Sequence, residues 1–226
     1  MAQVIMSAGG AGGVIQGEFG TYIVGPSGLV TVDSRDVTRL LALGMAYITG
    51  RSNYQQVPTP RGATAARIVA SVNMANGTLT IANQPDTPRQ LAVRVDPSSV
   101  AITGGLCTIT YPANDGTTQV DALSLATPAN TVLTINTSKG AMRVTSAVVS
   151  GLAGGATPKI EIADTNFLAL PVDQGFANFA LLKENVGGAD EALGTVNASA
   201  AAVSPTTAPN GTNIYGFGYS YAAPNI

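Results

Sequence analysis

The chain has no histidine and no tryptophan, one cysteine, and charged side chains at only 11% of its 226 positions. Without imidazole, Ser-His-Asp and Cys-His nucleophiles and every His-ligated zinc or iron site are excluded. A lone cysteine excludes an intrachain disulfide and a thiolate metal site, and Cys107, on an alternating apolar run, reads as a small buried core residue. Eleven basic and thirteen acidic residues leave a net charge of −2. They form no basic patch of the kind that holds a nucleic-acid backbone, Arg61 and Arg67 being the nearest approach to one. No run of about 18 apolar residues occurs, so no membrane partner is expected. The opening MAQVIMSAGGAGGVIQ has no basic residue and no continuous apolar stretch, and is not expected to be a secretory signal. Synthesis in the cytoplasm is the expectation that follows.

What the chain does have is alternation. Its 45% hydrophobic content argues against disorder, and a chain of this length buries roughly 70% of its unfolded surface without needing a disulfide or a metal. Residues 1–16, with their Gly-rich SAGGAGG, are expected to form a flexible arm. Residues 17–50 predict a small β-turn-β-helix docking module. Its strands, Thr21–Val24 and Leu29–Val32, flank the turn signal Gly25-Pro26-Ser27-Gly28. Asp33 or Ser34 then caps a helix over 35–43, with Asp36 in its first turn and Gly44 just past its end. Val37, Leu40 and Leu41 share one apolar face of that helix and are candidates for an oligomer or capsid contact.

Residues 51–64 read as a linker, and 65–226 as a β-sandwich domain. Strands are expected over 68–74, 78–82, 91–95, 101–111, 119–125, 132–136, 141–149, 159–163, 178–182, 194–203 and 214–221. They are separated by signals such as Asn76-Gly77, Asn114-Asp115-Gly116 and Gly154-Gly155. Short strands at this spacing indicate a mainly β, antiparallel sandwich, Ig-like or jelly-roll-like. Gly104-Gly105 inside a long run predicts a bulge or bend.

No charged side chain follows Glu191. The last strand sets Tyr215, Phe217, Tyr219 and Tyr221 on one face and Gly216, Gly218 and Ser220 on the other. The aromatic row reads as core or as a subunit contact, since Tyr is favoured at interfaces and the bare Gly face admits another backbone. Catalytic signals are weak throughout. Asp33 and Asp36 suit a helix start, Asp190-Glu191 a solvated turn, Asp115 a hairpin turn and Asp121 the polar side of a strand. Asn114, Asp115 and Asp121 do not complete a calcium loop, and no phosphate loop or dinucleotide fingerprint occurs. No catalytic residue, cofactor or metal ligand is assigned, and no enzyme is expected.

From about Pro88 to Pro171 the chain resembles a domain recurrent in virion structural proteins of tailed bacteriophages. The likeness is carried by Pro88-Arg89, Asn114-Asp115-Gly116, Ser138-Lys139-Gly140, Val144–Val149, Gly154-Gly155 and Leu168–Pro171, and by the closing Pro205–Thr212. The unit around Gly20–Gly44 is similar to a small module of phage head and tail proteins. The resemblance implies a non-enzymatic virion component, a head decoration or cement protein on the outer surface of the shell. Its partner would be the major capsid protein, and the role favours a homotrimer at local threefold points. A tail or fibre component, used for assembly or host-surface attachment, is the alternative.

Overall fold

The computed structural model describes residues 3–7, 14–24, 29–33, 35–42, 46–47 and 51–222. The expected Gly25–Gly28 turn, the Ser34 cap, Gly44 and the side chains of Val37 and Leu41 lie outside the described residues.

The amino-terminal unit contains β1 (Gln3–Ser7), β2 (Val14–Gln16), β3 (Thr21–Ile23), β4 (Leu29–Asp33), α1 (Val37–Ala42) and β5 (Ala46–Tyr47). Residues 1–16 were expected as an arm, but Gln3–Ser7 is a strand bonded to both β4 and β5, and Val14–Gln16 forms a hairpin with β3. The apolar run Val4-Ile5-Met6, led by two β-branched residues, is enough for a strand once β4 offers an edge. Val24, Val30, Val32 and Leu40 make a small core, with Ile15 and Tyr22 packed against it. The helix, expected over 35–43, begins only at Val37; the Asp33 side chain accepts the Arg35 amide at 3.0 Å in the turn ahead of it and does not cap the helix itself. The Asp36 carbonyl accepts the Leu40 amide at 3.0 Å and so starts the helix, but the Asp36 side chain does not cap it. Its buried carboxylate accepts the amides of Glu18 at 2.8 Å and Phe19 at 3.0 Å and the hydroxyl of Tyr22, so it ties the β2–β3 turn to the core.

The body that follows is an antiparallel sandwich. Its strands are β6 (Arg51–Val57), β7 (Val69–Asn73), β8 (Gly77–Thr78), β9 (Arg89–Asp96), β10 (Ile102–Pro112), β11 (Thr118–Ser124) and β12 (Leu133–Asn136). They continue as β13 (Ser146–Gly154), β14 (Lys159–Ala169), β15 (Ala177–Val186), β16 (Ala189–Glu191), β17 (Thr195–Asn197), β18 (Ala202–Ser204) and β19 (Tyr215–Ala222). A sheet ordered β11-β10-β13-β8 faces the β12-β9-β14 end of a six-stranded sheet, to which β7 also pairs. Between them lie Leu91, Val93, Val95, Cys107, Ile109, Tyr111, Val149, Ile160 and Ile162, all buried. A third sheet, β16-β15-β19-β6, covers the other end of the six-stranded sheet, burying Leu168, Ala201 and Val203 against the aromatic row of β19.

Two cores therefore share β14. Its register with β9 shifts between Asp164 and Leu168, and this bulge marks the passage from one core to the other. Arg51–Val57, expected within the linker, is a full strand along β19 from Val57–Tyr215 to Arg51–Tyr221. The uncharged β19 needs a neighbour on each side, and this polar segment supplies one.

Other expectations change, among them the strand over 141–149, which begins only at Ser146 and runs on to Gly154. The stretch 78–82 is a strand only at Gly77–Thr78, because the chain then crosses between sheets, Leu79 bonding to Ala147 and Ala82 to Ile68. The stretch 194–203 is broken by a 3-10 turn, Ala198–Ala200, and by Ala201 at φ 47°, which folds β18 back on β17. Gly104 and Gly105 do sit at two register shifts between β10 and β13.

Candidate functional site

One set of polar side chains inside the body converges on the loop Thr137-Ser138-Lys139-Gly140. Asp121 on β11 accepts the Tyr111 hydroxyl at 2.7 Å, the Ser138 amide at 2.7 Å, the Ser138 hydroxyl at 2.6 Å and Gln119 Nε2 at 3.2 Å. Burial pushes this carboxylate up, but its donors outweigh burial and hold it below the usual range. Burial raises the Tyr111 hydroxyl far above its ordinary value, so it remains a donor. Lys139 pairs with Asp115, which also accepts the Thr117 amide at 3.1 Å and hydroxyl at 2.6 Å. Asn114 Nδ2 donates to the carbonyls of Leu170 at 2.8 Å and Ala200 at 3.1 Å, while its Oδ1 accepts the Gly140 amide at 3.2 Å. The three oxygen donors considered for a cation, Asn114, Asp115 and Asp121, are thus spent on joining this loop to both cores.

A second set of charges lies beside β9. Arg89, wholly buried, donates to Asp86 at 2.6 Å and to the carbonyls of Arg61 at 3.0 Å and Thr165 at 3.2 Å. Arg67 turns inward to Asp164, 3.0 Å away, so it does not join Arg61 in an outward basic pair. Burial lifts the Asp164 carboxylate, against the pull of Arg89 and Arg67. Glu184 is also buried and accepts the amides of Gly194 and Thr206, each at 2.8 Å; burial raises it despite those donors.

Arg89, Asp164 and Glu184 were missed as buried charges. Asp164 had a signal, since it follows Ile160 and Ile162 at period two. Glu184 did not, because a register shift between Leu181 and Lys183 moves it onto the inward face.

Tyr215, Phe217, Tyr219 and Tyr221, candidates for an oligomer or capsid contact, are buried within the chain's own second core. The core alternative is the one realised. The opposite glycine face is also covered, Tyr54 packing over Gly216 and Lys183 over Gly218. Leu40 is fully buried in the amino-terminal core, so it too offers no surface. Apolar side chains do lie exposed elsewhere. Val14 and Ile23 stand opposite each other on the β2–β3 hairpin at 67% and 78% exposure. Val120 and Leu106 lie on the outer face of the β11-β10-β13-β8 sheet.

A shallow depression of about 80 Å³ is lined by Ser71, Arg94, Asp96, Lys159, Ile160 and Glu161. It is far below the roughly 300–1,000 Å³ of ligand pockets, and Glu161 in it is paired with Arg94 at 3.3 Å. Among the described residues no three of His, Cys, Asp and Glu gather as a metal site, and no helix is long and apolar enough to cross a membrane.

No protein-family model and no curated protein matches the chain. Among solved structures, the chain is similar to one from infectious bursal disease virus, strain Gx, at 10% identity over 93% of this chain, with a TM-score of 0.20. That score is too low to show a common fold, and the chain spans 45% of the length of the viral one.

Proposed function

We propose that the chain is a non-enzymatic virion structural protein that decorates the head shell of a tailed bacteriophage and stabilises it. Its partner is the major capsid protein, and it acts as a homo-oligomer, with a trimer fitting the local threefold points of the lattice. The observation that carries this reading is the exposed Val14–Ile23 pair, set on a small unit ahead of a stiff two-core body. An apolar pair held out on a hairpin is a grip for another protein, and the unit carrying it is too small to be very stable alone.

The use of polar groups fits a staple. Asp115, Asp121, Asn114, Arg89 and Glu184 each bind the chain's own backbone or neighbouring side chains, which stiffens a body that must bear load between subunits. Phe179 is buried and Phe176 packs against the same core, which favours the staple over host attachment. Tyr54, 55% exposed beside Asn53 and Gln56 on β6, is what a tail or fibre module would use instead.

Binding of purified protein to undecorated shells tests the reading. A V14D/I23D variant should fold normally and lose binding; undiminished binding would overturn the proposed grip.

A further inference from the structure

We infer that β11 is a self-pairing edge, through which two copies of this chain join their β11-β10-β13-β8 sheets across a two-fold axis. β11 is the end strand of its sheet. The bonds Ala113 N to Thr117 O at 2.8 Å and Leu125 N to Gly105 O at 3.0 Å fix the parity of its ladder. Gln119, Asp121 and Leu123 therefore turn their backbone groups toward β10. Thr118, Val120, Ala122 and Ser124 turn theirs to the open side, where no described strand meets them. All four side chains are exposed and none is charged, with Val120 exposed by 56%.

Edges of this length are normally guarded by a lysine, a proline or an inward charge. The charge present, Asp121, is no guard, because Tyr111, Ser138 and Gln119 already fill it with donors. An open row of amides and carbonyls takes another extended backbone, and a second β11 supplies one with matching small side chains.

The position of Asp121 selects the register. Edge-facing residues must pair with edge-facing residues, so the two-fold falls near Val120, Asp121 or Ala122. An axis at Asp121 sets two carboxylates opposite each other, which is unfavourable. An axis at Ala122 faces Asp121 with Leu123. An axis at Val120 faces it with the Gln119 amide, sets Val120 against its own copy and pairs Thr118 with Ala122. That is the register inferred.

The inference rests on the edge geometry and not on the virion reading, and the two can fail separately. The assembled mass of the full chain is measured by light scattering after size exclusion, beside V120K. The wild type should self-associate, and V120K should halve its assembled mass while keeping the wild-type circular dichroism and melting temperature. Cysteine variants then read the register. Across a hydrogen-bonded antiparallel pair the Cα atoms lie about 5.5 Å apart, within disulfide range. V120C should cross-link to itself under mild oxidation, and T118C should not, Cys107 being buried in both. A monomeric wild type, a V120K variant that assembles like the wild type, or self-cross-linking through T118C instead of V120C would overturn the inference.

Discussion

The hydroxyl of Tyr111 on β10 donates to the carboxylate of Asp121 on β11 at 2.7 Å, a diagonal contact between paired strands that also holds the Ser138 loop. The geometry makes a pH prediction. The folded carboxylate is held below its usual range. Its stabilisation is therefore present above about pH 4, the ordinary Asp value, and is lost as the pH falls through the folded value. Asp121→Asn should cost about 2 kcal/mol at neutral pH, and urea titrations should show the gap from wild type narrowing as the pH falls below the ordinary Asp range. A gap independent of pH would contradict this assignment.

Gly140 and Gly216 should respond differently to the same methyl group. At Gly140 a Cβ would lie 1.9 Å from the Cβ of Ala169, on β14 beneath the loop. Both atoms are held by backbone, so Gly140→Ala should cost about 3 kcal/mol or more. At Gly216 the obstacle, 2.1 Å away, is the hydroxyl end of Tyr54, a half-exposed side chain that can swing aside. Gly216→Ala should cost about 1 kcal/mol, and thermal denaturation of the two variants distinguishes them.

The second core predicts a graded series at Tyr219. Its hydroxyl donates to the Pro171 carbonyl at 2.7 Å, and burial pushes its pKa up to about 12. Tyr219→Phe loses that bond, about 1 kcal/mol, whereas Tyr219→Asp places an unpaired charge among Phe179, Tyr221 and Leu181 and should prevent folding. Circular dichroism and solubility of both variants check the order.

Asp36 should control the amino-terminal unit alone. Replacing it with Ala removes the acceptor of the Glu18 and Phe19 amides and of Tyr22. Limited proteolysis should then trim residues 1–50 and leave a resistant body, since the body's cores draw on Val57 and later residues. A body that unravels with the unit would contradict the separation.

The sandwich was legible because period-two alternation and the Gly, Asn and Pro turn signals are local. Gly104-Gly105 read correctly as a bulge for the same reason. Three features were not legible because each depends on a partner far along the chain. Arg51–Val57 is polar and reads as a linker until β19 supplies an edge. Gly194–Val203 reads as one strand, yet Ala200–Ala202 must be small and sharply turned to sit against Ala169 and Phe167. Asp36 has a good local use at a helix start, and a competing set of donors from Glu18 to Tyr22 takes it. The burial of the aromatic row also depends on distant partners. Composition alone offers the aromatic row to a neighbour, while Leu168, Ala201 and Val203 of the facing sheet cover it from within the chain.

The central claim is that the chain is a stoichiometric component of a phage head. Quantitative mass spectrometry of purified virus particles, against the major capsid protein, tests this most directly. The account predicts a ratio near one to one or another fraction compatible with an icosahedral lattice. A few copies per particle would place the chain in the tail or a fibre, and its complete absence would contradict the virion reading altogether.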